Sequence, residues 1–170
     1  MLDENGFINM GWAKCKQNGR VAEELVIELF KKHKIKITED KSDLITHDLQ
    51  FEHKDKKYHI EVKFDMMQSK TKNIAIEYFN TKKAKPSGIN ATKADLWCIV
   101  LQNPSSVWLT STKLLKEYVK DNPGRLVDGG DNNSSMMLYK SKTILDEVFK
   151  RIDEVKKKEF LEILNDKLSC

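Results

Sequence analysis

Three charged residues on one predicted β-hairpin could together perform metal-assisted chemistry. Glu61 and Lys63 lie in IEVKFD, a run that alternates apolar and charged residues as a strand with one buried face does. Asp48 lies on the preceding alternating run. Carboxylates suit Mg²⁺, which takes one or two protein ligands plus waters and phosphate. A lysine beside the metal could orient or deprotonate water, or offset charge on a phosphorane-like transition state, so these residue types fit phosphodiester hydrolysis.

A hairpin would bring the three side chains together. The polar stretch KDKK, residues 54–57, separates the two alternating runs, and we predict that these four residues form the turn. In that register His53 lies opposite Tyr58 and, counting back, Asp48 lies opposite Lys63. Directly opposed residues share a face with Cβ atoms about 5 Å apart, so the three charged groups should converge. A slip of one residue would place Asp48 on the other face.

These residues also resemble a known nuclease motif. Asp48, the twelve residues LQFEHKDKKYHI and then Glu61, Val62 and Lys63 look like the acidic residue and E-x-K of the PD-(D/E)xK nuclease superfamily. The separation of the two acids is similar to that in archaeal Holliday-junction resolvases, and residues 61–101 resemble nuclease-like proteins encoded by phages. The resemblance covers roughly residues 19–110.

The sequence departs from the motif at one position, because His47 stands where the superfamily name has proline. This departure leaves Asp43 open as a competing carboxylate, although the strand count puts it beyond the paired region.

The resemblance implies a mechanism and a set of ligands. Asp48, Glu61 and the Val62 carbonyl would hold Mg²⁺, with Mn²⁺ as an expected substitute, and Lys63 would assist the attacking water. The products would carry a 5′-phosphate and a 3′-hydroxyl. A small-molecule cofactor is not expected.

An upstream helix contributes a further glutamate in the resolvase-type members. The run from Gly19 to Ile35 is amphipathic, and Glu23 or Glu24 would fill that place. Helical phase favours Glu23, because it borders the apolar face whereas Glu24 points away from it.

The remaining pattern predicts an α/β fold, a mixed central β-sheet flanked by helices as in restriction endonucleases. We expect one nuclease-like domain over residues 1–170, with a core at about 19–120 and a C-terminal helical tail at about 144–168. Residues 73–80 should form the third strand of a meander, 95–101 a strand buried on both faces, and 107–110 a short strand before a helix. Residues 122–135 are rich in turn formers.

Charge and composition favour a polyanionic partner. The 170 residues carry a net charge of +4, but the segment Lys54–Lys93 holds ten lysines against four acidic residues, a local +6. A local basic excess suits DNA, and a solvated lysine-rich surface is the alternative. The best candidates for DNA contact are three lysines and three residues of the following loop: Lys82, Lys83, Lys85, Ser87, Thr92 and Lys93.

Other residues carry weaker signals. Glu77 could face Glu61 and Lys63 from the next strand. Trp97 and Trp108 lie in predicted strands and are expected in the core. The four histidines have no zinc spacing and are interpreted as surface residues.

The expected cellular location follows from targeting and disulfide patterns that the sequence lacks. No apolar run approaches the ~18 residues of a membrane span, and the first residues lack the pattern of a signal peptide. Three widely spaced cysteines form no disulfide framework, so we expect a cytoplasmic protein, in the host cell if a phage encodes it.

The leading hypothesis is a Mg²⁺-dependent DNA endonuclease of phage or mobile-element origin. The alternatives are a catalytically silent nucleic-acid-binding module, a Holliday-junction resolvase as the specific activity, and a structural subunit that assembles through its C-terminal helices. The substrate could be branched DNA or the target of a nicking, homing or restriction-like enzyme. Because one chain offers one acidic set, cutting two strands predicts a homodimer on DNA.

Overall fold

The computed structural model describes residues 12–39, 48–102, 105–129 and 133–170, with side chains from residue 18 onward. The helices in these ranges are α1 (Trp12–Lys32), α2 (Gln68–Thr71), α3 (Thr112–Asp121), α4 (Ser141–Val148) and α5 (Lys157–Leu168). The strands are β1 (Lys36–Glu39), β2 (Leu49–His53), β3 (Lys56–Asp65), β4 (Asn73–Asn80), β5 (Lys85–Pro86), β6 (Leu96–Gln102), β7 (Ser105–Ser111), β8 (Arg125–Asp128), β9 (Ser134–Lys140) and β10 (Lys150–Arg151). No described helix has the length and apolarity needed to cross a membrane.

A six-stranded mixed sheet forms the centre of the fold, in the order β1-β2-β3-β6-β7-β10. Strands β3 and β6 are parallel, and the other neighbours are antiparallel. One face packs against α1 and α5, where Val26, Phe30, Phe160 and Leu164 join a buried apolar cluster. The α/β architecture predicted from the sequence is therefore confirmed.

Strand β6 is buried on both faces, as its continuous apolar sequence predicts. Leu96, Cys98 and Val100 face the cluster under α1 and α5. The alternate residues, Trp97 among them, belong to a second cluster formed with α3, α4 and β4. Apolar residues of the tail also pack into these two clusters within the chain: Leu145, Val148, Ile152, Val155 and Ile163.

A second, antiparallel sheet differs from the expected meander. Strand β4 leaves the central sheet and pairs with β5 and β9 in the order β5-β4-β9-β8. Residues 122–135, predicted as a turn-rich loop, include β8 and the start of β9. Strand β8 lies at the edge of its sheet and is mostly exposed, so it lacks the apolar alternation that marks a strand in a sequence.

The hairpin turn is shorter than predicted. Lys54 and Asp55 alone form it, with φ of 50° and 60°, and Lys56 already belongs to β3. His53 therefore pairs with Lys56 rather than with Tyr58. The predicted register was wrong by two residues, because two consecutive residues in the left-handed region close a two-residue turn. An even shift keeps every side chain on its predicted face.

His33 corrects another expectation. The sequence placed all four histidines on the surface, but this ring is buried and stacks on Phe160 with centroids 4.1 Å apart. Burial among apolar groups lowers the pKa of His33, with smaller contributions from nearby lysines.

Candidate active site

Asp48 is fixed at the point where β2 begins. Its backbone N–H donates to the Ile60 carbonyl at 3.0 Å, and its carboxylate Oδ2 accepts from the Val62 N–H at 2.7 Å. The side chain thereby extends the hydrogen bonding of β3 beyond the end of β2. The competing acid, Asp43, lies outside the described residues.

Glu61 and Lys63 lie on the face of β3 opposite its core residues. The Lys63 ammonium donates to Glu61 Oε1, and Glu61 Oε2 accepts from the Thr92 hydroxyl at 3.3 Å. The Glu61 side chain is only 12% exposed and the Lys63 side chain 40%. The structure thus brings Asp48, Glu61 and Lys63 together at one end of the hairpin.

Electrostatics keep Lys63 charged. Burial alone would lower its pKa, but the charge and hydrogen bond of Glu61, together with the charges of Asp48 and Glu77, outweigh burial and raise the pKa. An ammonium with a raised pKa is a poor base at neutral pH. Lys63 in this state can orient a water or meet developing negative charge, which narrows the roles considered from sequence.

The indole of Trp97 lies under Lys63. The Lys63 nitrogen is 5.5 Å from the ring centroid, within the range of a cation–π contact. Trp97 is 1% exposed and pairs with Glu61 in the parallel ladder between β3 and β6. It is a core residue, as predicted, and also supports the lysine. Sequence alone missed this second contact, because it depends on the pairing of strands that are distant in the chain.

Glu23 is a glutamate of α1 whose pKa responds to the charge of Asp48. Burial, followed by the charges of Asp48 and Glu39, raises its pKa to about 7, while Arg20 opposes the shift. Glu23 is half-buried, whereas Glu24 is exposed. These exposures agree with the helical phase, which places Glu23 nearer the apolar face than Glu24.

The available oxygen donors fit a hard divalent cation. No group of three or more His, Cys, Asp or Glu side chains within the described ranges could hold a metal ion. Mg²⁺ does not need such a group, because it binds through one or two carboxylates and keeps several waters. Asp48 and Glu61 supply two carboxylates. The Val62 carbonyl points to the same side of β3 as its N–H, which faces Asp48.

A groove of about 380 Å³ opens beside the two carboxylates. Several of the predicted DNA-contact residues line it together with Asp48 and Glu61: Lys83, Lys85, Ser87 and Thr92. Lys82 is exposed and does not line this groove, and Lys93 lines a neighbouring one. We name the groove beside Asp48 and Glu61 the acidic groove.

The loop that forms one wall is held against β4. The Ser87 hydroxyl donates to Glu77 Oε1 at 2.6 Å. Gly88 follows with φ of 49°, and a Cβ there would be 2.1 Å from the Glu77 carbonyl oxygen. Only glycine fits this close approach. Glu77 thus fixes the loop, and its charge also helps to raise the pKa of Lys63. It acts from β4 in the second sheet, whereas the sequence predicted that this strand would continue the meander.

Comparisons with known proteins support the fold and leave the family open. Models of known protein families gave no match, and no curated protein sequence matched. Among solved structures, the chain is similar to a bacterial homing endonuclease, I-Ssp6803I, with a TM-score of 0.53. The alignment covers 91% of this chain and 93% of that protein at 15% identity. At this identity the likeness shows a shared fold.

Proposed function

We propose that this protein is a Mg²⁺-dependent DNA endonuclease that hydrolyses phosphodiester bonds. The observation that carries the proposal is that Asp48 and Glu61 line one groove together with Lys83 and Lys85, while the Lys63 ammonium is bonded to Glu61. The E-x-K spacing supports membership of the PD-(D/E)xK superfamily, and the fold shared with a homing endonuclease supports the endonuclease activity.

The roles follow from the charges. Asp48, Glu61 and the Val62 carbonyl would hold Mg²⁺, which polarises the scissile phosphate when bound. Lys63, held over Trp97 and paired with Glu61, places a positive charge where negative charge develops in the transition state. Glu23, with a pKa of about 7, can hold or release a proton beside Asp48 near neutral pH.

The groove lysines suit the backbone of DNA. Lys83 and Lys85 are exposed and line the acidic groove together with Asp48 and Glu61. Phosphate contacts of this kind position DNA without reading its sequence. The sequence preference would therefore come from groups beyond these lysines.

A panel of nucleic acids tests the proposal. Wild-type protein and Lys63→Ala are incubated with Mg²⁺ and linear, nicked, four-way and single-stranded DNA, with single-stranded RNA alongside. We expect wild type to cleave at least one DNA form, leaving 5′-phosphate ends, and Lys63→Ala to be strongly impaired. Binding without cleavage by both proteins would instead support a silent nucleic-acid-binding module. Cleavage restricted to four-way DNA would define a junction resolvase.

A further inference from the structure

A second groove, rich in lysine, adjoins the acidic groove. It has a volume of about 390 Å³ and lies at the start of α3, so we name it the α3 groove. Four lysines line it, against the two acidic residues Asp95 and Glu117: Lys93, Lys113, Lys116 and Lys167. The lysine excess gives the groove a positive charge, which favours an anionic ligand.

The Asp95 carboxylate already accepts a hydrogen bond from a backbone N–H. Its Oδ2 accepts from the His59 N–H at 2.8 Å and lies 3.6 Å from the His59 ring nitrogen. Its charge is therefore shared with groups on β3 rather than reserved for the lysines of the groove. Glu117 is exposed on α3, where water screens its charge.

Lys167 is a largely buried lysine of this groove. Its side chain is only 8% exposed, and its ammonium lies 3.6 Å from Asp166, whose side chain is 67% exposed. Lys167 lines the α3 groove, so an anion bound there would be its neighbour.

Thr112 supplies an independent indication. It is the first residue of α3, is 4% exposed and lines the same groove. Its hydroxyl has no hydrogen-bond partner among the described residues. A buried hydroxyl without a partner is costly, and the beginning of a helix favours negative charge, so both features fit an oxyanion ligand.

Thr92 joins the two grooves. It lines both, its hydroxyl donates to Glu61 in the acidic groove, and its carbonyl accepts from the Lys116 ammonium at 3.1 Å. Thr92 is therefore the residue that separates an anion bound in the α3 groove from Glu61, a carboxylate that would hold the metal. Phosphates recur at a short, regular spacing along a nucleic-acid strand, so one strand can supply anions to both grooves.

We propose that the α3 groove binds a backbone phosphate of the same DNA strand whose scissile phosphate enters the acidic groove. Lys113, Lys116 and Lys167 would be positioning residues for that strand, with the Thr112 hydroxyl as a further donor. This inference rests on the proposed endonuclease function and adds a second phosphate site to it.

Salt-dependent binding tests the inference. Affinity for a fluorescent DNA duplex is measured by anisotropy in EDTA at several KCl concentrations, for wild type, Lys113→Gln/Lys116→Gln and Lys120→Gln. Lys120 is the matched control, because it is an exposed lysine on α3 that does not line the groove. We expect the double variant to lose about tenfold in affinity, and its slope of log affinity against log salt to fall by about two. Lys120→Gln should match wild type.

The outcomes separate this inference from the proposed function. Equal affinities and slopes for the double variant and Lys120→Gln would overturn the second phosphate site while DNA cleavage by wild type still stood. A wild-type protein that neither binds nor cleaves DNA would overturn both. Thr112→Val adds a check on the hydroxyl: lower DNA affinity at an unchanged or higher Tm supports its part in the site, and unchanged affinity removes it.

Discussion

The carboxylate of Asp48 accepts a hydrogen bond from the backbone N–H of Val62 at 2.7 Å, which ties the start of β2 to the strand that carries Glu61 and Lys63. The bond makes one oxygen of Asp48 part of the local strand structure. The other oxygen and Glu61 can then face a shared ligand in the acidic groove. Asn at position 48 could still accept this bond while removing the charge, so Asp48→Asn separates the structural role from the ligand role.

Lys63→Met tests the role of the ammonium. Methionine keeps an unbranched apolar stem against Trp97 but removes the charge that Glu61, Asp48 and Glu77 stabilise. We expect the cleavage rate of bound DNA to fall by about 10²-fold or more, as for loss of one donor to a developing oxyanion. Single-turnover kinetics at saturating enzyme measure this rate. Lys70→Met, at an exposed position on α2, is the control and should cleave as wild type does.

Gly88→Ala tests the close packing of the groove wall. The added Cβ would meet the Glu77 carbonyl, and φ at this position is positive, so we expect a loss of about 1–3 kcal/mol in the free energy of unfolding. Gly19→Ala is the opposite control, because it lies in α1 with nothing within 4 Å of an added Cβ. That variant should gain about 0.5–1 kcal/mol. Denaturant unfolding compares the two, and equal effects would contradict the packing argument.

Glu23 predicts a pH dependence of stability in metal-free protein. Its pKa is raised from 4.5 to about 7 by burial and by Asp48, so the folded state holds a proton that the unfolded state has released between these values. Stability should therefore fall as pH rises from about 4.5 to 7 and then level off. Glu23→Gln should lose this component of the decline. Urea unfolding at a series of pH values in EDTA measures it, and parallel curves for wild type and variant would contradict the shifted pKa.

Cleavage of both DNA strands predicts assembly on DNA. Each chain offers one set of Asp48, Glu61 and Lys63, so two simultaneous cuts need two chains. We expect sedimentation of the protein with DNA to show two chains per duplex. A monomer with and without DNA, together with nicks and no double-strand breaks, would favour a nicking enzyme.

The face of each residue on the hairpin could be predicted from sequence, although the register could not. Alternation placed Glu61 and Lys63 on one face of β3, and an error of two residues in the register left that face unchanged. Asp48 lies just before β2, where its carboxylate accepts from the Val62 N–H. The turn was misjudged because Lys54 and Asp55 adopt positive φ without the Asn-Gly or Asp-Gly pair that usually marks such a turn.

Tertiary relationships explain what the sequence did not show. The departure of β4 to a second sheet, Trp97 under Lys63 and the bond from Lys116 to Thr92 all join segments distant along the chain. Hydrophobic periodicity reports only neighbours within one element. The lower exposure of Glu23 than of Glu24 could be predicted from the sequence, because helical phase depends on nearby residues alone.

A comparison of metal-dependent DNA cleavage by wild type and Glu61→Gln tests the central claim most directly. The rate at which supercoiled plasmid is cleaved is measured for wild type and for this variant at equal concentrations of folded protein. The concentration of Mg²⁺ or Mn²⁺ is varied from zero. DNA affinity is measured separately in EDTA. We predict that wild type cleaves only with added metal. Glu61→Gln should cleave at no detectable rate while binding DNA as well as wild type or better, because it loses a metal ligand and a repulsive charge together. Metal-dependent cleavage by Glu61→Gln at the wild-type rate would contradict the assignment of this site.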